Sequence, residues 1–123
     1  RLGYLLVYTR YLDAAGRTLR AGWRGLQEFP HGHCSLLNAR DEYLQPPELI
    51  ILRGDAGEAG VWTATLASAY NPRRMVFTIP GDAGDLPVAL ASKTAPAAGV
   101  LAYVCRGTVC DSPVNTLEAL ARL

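Results

Sequence analysis

A chain of 123 residues, half of them apolar, with 12 basic against 11 acidic side chains, has the length for one hydrophobic core and a formal charge of +1. So balanced a charge sets up no field that would gather nucleic acid or anionic lipid, and neither is expected as a partner. No apolar run approaches the roughly 20 residues of a membrane helix and no charged-then-apolar leader opens the chain, so a soluble protein is expected.

Arg1 to Val7 is short and apolar and reads as the tail of a helix. From Asp13 to Gln27, Ala15, Leu19, Trp23 and Leu26 recur at helical spacing, with Arg17, Arg20 and Arg24 on the opposite face. Phe29-Pro30-His31-Gly32 should end this helix, because proline disfavours helical geometry in the residue before it. A further helix from His33 to about Leu44 carries Leu36, Leu37, Tyr43 and Leu44 on one stripe. Arg40 falls on that stripe and must snorkel or meet a carboxylate such as Asp41 or Glu42. Gln45-Pro46-Pro47 breaks the pattern, since proline supplies no helix donor, and a domain boundary is expected there.

Beyond it the periodicity changes. Glu48–Arg53 is a continuous β-prone run of the kind buried on both faces. After a turn at Gly54 to Gly57, the positions Ala59, Trp62, Leu66, Ala69 and Tyr70 mark a helical face that Asn71-Pro72 stops. Arg74–Ile79 is a second strand ended by Pro80-Gly81. Leu86 to about Ser92 reads as a short helix, with Pro87 tolerable in its first turn. Val100–Cys105 is the third strand. Asn115 with Glu118 three residues later forms a capping box for a last helix striped by Leu117, Leu120 and Leu123. The expected fold is therefore α/β: a three-stranded, mostly parallel sheet with flanking helices, preceded by an N-terminal helical hairpin.

Three cysteines, Cys34, Cys105 and Cys110, are an odd number, which argues against a secreted disulfide framework and points to a reducing, cytoplasmic location. Cys105 and Cys110 are close enough in sequence for a turn to bring them within disulfide range. Cys110 also precedes the last helix, whose dipole would favour a thiolate, and Arg106 adds positive charge. The plainer reading makes Cys105 a buried strand residue and Cys110 a turn residue packed under that helix.

His31, His33 and Cys34 sit together, but neither their spacing nor their distance in sequence from the cysteine pair matches a zinc site, and no metal is expected. Gly54-Asp55-Ala56-Gly57-Glu58-Ala59-Gly60 opens a helix after a strand, yet its glycine spacing is wrong for a phosphate loop and Asp55 and Glu58 would repel phosphate. No cofactor is expected.

Ala102-Tyr103-Val104-Cys105-Arg106, followed by Cys110, Pro113 and a Leu-Glu helix, resembles the C-terminal region of the bacterial thioredoxin-domain-containing proteins related to spermatogenesis-associated protein twenty. Arg10-Tyr11-Leu12 with Ala14-Ala15, Asp41-Glu42-Tyr43-Leu44 before Pro46-Pro47-Glu48, and Ala69-Tyr70-Asn71-Pro72 carry the same likeness. The resemblance implies a larger protein with a thioredoxin-like domain, a central α/α toroid similar to N-acylglucosamine 2-epimerases, and a small C-terminal α/β region. On that reading residues 1–45 are the last toroid helices and 46–123 the α/β domain. Met75 is the only methionine, which also suggests a piece of a longer chain.

The family's thioredoxin-type C-x-x-C does not occur in this sequence. The toroid likeness makes His31 and His33 candidate proton-transfer groups, since residues at helix N-termini line such cavities. The expected function is a non-catalytic structural or interaction module, with thiol-disulfide redox at Cys105 and Cys110, or part of an epimerase-like site, as the rivals. Expected partners are the upstream domains of the same polypeptide, or a second copy that covers Tyr4, Leu5, Leu6, Val7, Tyr8 and Tyr11.

Overall fold

The computed structural model describes residues 1–122. Its helical half comprises α1 (Leu2–Leu5), α2 (Thr9–Ala21), α3 (Trp23–Glu28), a 3-10 turn (Pro30–His33) and α4 (Cys34–Leu44). The helix expected over Asp13 to Gln27 is thus two helices that meet at Gly22. Leu36 of α4 presses on that glycine, where a Cβ would collide with its side chain. Gly22 still bonds back to the Thr18 carbonyl at 3.0 Å, so the chain bends there with little loss of its helical hydrogen bonds.

The second half runs β1 (Glu48–Gly54), α5 (Ala56–Ala67), β2 (Arg74–Pro80), α6 (Val88–Ala91), β3 (Val100–Arg106), β4 (Val109–Cys110) and α7 (Leu117–Ala121). The strands form one mixed sheet of order β2-β1-β3-β4, in which β1 and β2 are parallel while β3 is antiparallel to both β1 and β4. This corrects the expected three-stranded, mostly parallel sheet. The link after β2, residues 81–99, holds only the short helix α6 and does not run back to the far end of the sheet. It turns over the near end and re-enters at Val100 directly opposite Gly54.

Alternate residues of the central strands feed two cores. On one face Ile50, Leu52, Ala102 and Val104 meet Ala59, Trp62 and Leu66 of α5 and Leu120 of α7. On the other Ile51 and Tyr103 meet Leu90 of α6 together with Leu5 and Leu6. Ala69 and Tyr70, expected on the buried face of the middle helix, lie beyond its end and are exposed. The N-cap of α7 is Thr116, not Asn115: its hydroxyl accepts from the Ala119 amide at 3.2 Å, while Val114 is still held extended by its bridge to Ala102. Leu123, expected on the stripe of α7, lies outside the described residues. None of the described helices is long and apolar enough to cross a membrane.

Candidate functional site

The cysteine pair lies at the edge of the sheet. Gly107 at φ +65° is the first of two turn residues joining β3 to β4, the arrangement that matches the twist of a tight hairpin. Folding back in this way sets Cys110 directly across from Cys105, with Cα atoms 3.9 Å apart, and the two sulfurs are bonded. Cys105 is a buried residue and Cys110 an exposed one. The odd cysteine count resolves into this pair and an exposed free Cys34, whose thiol contacts the His31 carbonyl.

Past Cys110 the chain stays on the strand edge. The Asp111 amide bonds to the Val104 carbonyl and Val114 bridges Ala102, a register that has gained one residue since Cys105–Cys110, so a bulge accommodates Ser112 and Pro113. The sequence signal for β4 was Gly107-Thr108 followed by a β-branched valine.

Two features expected to activate Cys110 take other roles. Arg106 alternates with Cys105 along β3 and so occupies the opposite face, where it donates to Glu48 at 2.8 Å and Asp111 at 3.1 Å. Glu48 also accepts from Arg74 at 2.7 Å, so Arg74, Glu48, Arg106 and Asp111 form a charge ladder across the sheet. Asp111 to Thr116 separate Cys110 from α7 along the chain, so that helix does not start at the cysteine, and Cys110 belongs to an exposed strand and not to a turn packed beneath it.

The histidines belong to the helical half, in the 3-10 turn. Half-buried His33 donates from Nδ1 to the Phe29 carbonyl at 2.8 Å and lays Nε2 against Gly25. That bond holds the ring as the turn's brace. His31 is exposed. Among the described residues no group of three or more His, Cys, Asp or Glu side chains stands where it could hold a metal ion.

At the N-terminus of α5, Asp55 accepts from the Glu58 amide at 2.8 Å, so the acidic residues cap the helix. Within β1, Arg53 is 5% exposed, lies between Ile79 and Leu101 in the register, and its Nε and Nη1 have no hydrogen-bond partner among the described residues. Its place at the end of the run read as buried on both faces was the one sequence signal that set this arginine apart.

Sequence reasoning also missed the surface of the helical half. A cleft of about 380 Å³ between α1, α2 and α4 is lined by Leu2, Tyr4, Leu12 and Tyr43. A second, of about 260 Å³, is lined by Leu19, Trp23, Leu26, Leu36 and Leu44 with Arg20 and Arg40, and Tyr43 belongs to both. Tyr43 reaches across Gly16, where an added Cβ would stand 2.8 Å from its hydroxyl oxygen, so the glycine lets it lie flat between the clefts. Arg40 finds neither Asp41 nor Glu42. Its guanidinium lies 5.5 Å from the centre of the Trp23 ring, while Asp41 pairs with Arg73 and Glu42 with Arg1. Of the residues expected to await cover, Leu5 and Leu6 pack on the sheet and Tyr4 is half-buried, leaving Val7, Tyr8 and Tyr11 exposed.

Comparison of the chain with protein-family models, curated proteins and solved structures found no match.

Proposed function

We propose that this chain is a non-catalytic structural or interaction module of a larger protein of the kind its sequence resembles, with residues 1–45 as the docking half and 46–123 as an α/β unit. The observation that carries this reading is the separation of its reactive groups. His33 is engaged by a backbone carbonyl, and the sulfurs belong to a strand edge of the other half, while exposed apolar side chains gather on the helices. Upstream domains of the same polypeptide are the natural cover for such a surface. The purified chain should turn over neither disulfide, isomerase nor sugar-epimerase substrates. Turnover that disappears on changing Cys105, Cys110 or His33 would sink the proposal.

One observation favours a second reading, thiol-disulfide exchange: the sulfurs are already bonded and only Cys110 is exposed. An incoming thiolate would attack the Cys110 sulfur and displace Cys105, whose sulfur keeps the bonding electron pair and takes a proton from water. A second thiol of the incoming dithiol would complete the two-electron reduction. Thiol titration in dithiol buffers of graded potential tests this reading, and a bond that stays closed in the most reducing of them removes it.

A further inference from the structure

The helical half carries a charge pattern that its own residues do not answer. Among residues 1–45, the carboxylates of Glu28, Asp41 and Glu42 are all in ion pairs, which leaves Asp13 alone. Arg10, Arg17, Arg20 and Arg40, by contrast, have no ion-pair partner among the described residues. Two of them are held ready on aromatic rings: Arg10 lies 4.8 Å from the centre of the Tyr11 ring and Arg40 lies over Trp23. Arg20 and Arg40 line the apolar cleft whose interior is Leu19, Leu26 and Leu36. An apolar trough edged by unanswered arginines is the complement of an amphipathic helix with leucine-like residues on one stripe and carboxylates beside it.

From this complementarity we infer that the trough between α2, α3 and α4 receives an acidic amphipathic helix from its partner. The inference rests on the docking role proposed above and names the chemistry of the docked surface. A second copy of this chain, applied face to face, would set the arginines against their own mates, which like-charge repulsion disfavours.

The test titrates the full 123-residue chain with two synthetic helical peptides of about four turns. Both carry the same leucine stripe, one flanked by glutamates and the other by lysines, and binding is followed by Trp23 fluorescence and by calorimetry. The acidic peptide should bind about tenfold or more tightly than its basic twin at low ionic strength, with the gap closing as salt is added. Arg20→Glu with Arg40→Glu should reverse the preference, and Arg17→Glu, at an exposed position outside the cleft lining, should narrow it without disturbing the cleft. Equal, salt-insensitive binding of both peptides overturns the acidic partner and leaves the docking role standing. Binding of neither peptide overturns the inference in every case: with a concentration-dependent dimer in light scattering it assigns the trough to a second copy, and with a clean monomer it removes the docking role as well.

Discussion

The two halves of this molecule treat their apolar residues in opposite ways. In residues 46–122 the strands and α5 bury Leu49, Ile50, Ile51, Leu52, Trp62 and Val104 almost completely. In residues 1–45 Leu26 alone among the large apolar side chains is buried, while Leu2, Trp23, Phe29 and Leu44 stand largely exposed. A sheet buries both faces of its central strand as soon as helices lie on each side. Short helices joined at Gly22 and a 3-10 turn enclose no such interior. The difference teaches that one half encloses a core of its own while the other leaves much of its apolar surface open.

The largest effect should come from setting the two halves against each other directly. Leu52→Ala, at the centre of β1, should cost about 2–5 kcal/mol in denaturant unfolding, whereas Leu44→Ala should stay within about 0.5 kcal/mol. Equal costs would abolish the contrast. Next comes the sheet edge: Cys105→Ala with Cys110→Ser should lower stability by about 2 kcal/mol, the loop-closure contribution of so small a ring, and reductant should do the same to the parent chain.

Arg53 is the exception inside the well-packed half. Because its buried nitrogens lack partners, Arg53→Met should stabilise by about 1–2 kcal/mol, seen as a higher unfolding midpoint. A loss instead would mean that the arginine is answered in solution. At the far end of the same half, Thr116→Ala should cost about 1 kcal/mol and Asn115→Ala almost nothing, which distinguishes the two capping assignments.

The smallest effect concerns the helical half, where the Arg1 guanidinium donates to the Glu42 carboxylate and holds its pKa below the usual carboxylate range. A lowered folded-state pKa means stability that is complete above the ordinary carboxylate value and lost as the pH falls through the lowered one. Glu42→Gln should erase that acid-side loss while leaving the unfolding midpoint at neutral pH lower than that of the parent. Melting curves across the acid range would show it.

Much of this was legible beforehand. The runs Glu48–Arg53, Arg74–Ile79 and Val100–Cys105 lie within a residue of the strands they form, and Ala59, Trp62 and Leu66 are the buried face of α5. The candidate pair Cys105 and Cys110 is bonded. What escaped was everything that depends on a partner distant in the chain: Arg106 and its exchange of Cys110 for Glu48, the cap displaced from Asn115 to Thr116 by the Val114 bridge, and the trough made by three helices together.

Hydropathy pattern and turn residues determined the three long strands and the main helical segments, because burial period and backbone preference are properties of a few adjacent residues. Tertiary structure alone decided the direction of β3, the pairing across the sheet and the arginine-edged trough. A strand has the same period whichever way it runs, and its direction follows from the path of the chain that leads into it. Here that path, residues 81–99, crosses the near end of the sheet and enters β3 opposite Gly54.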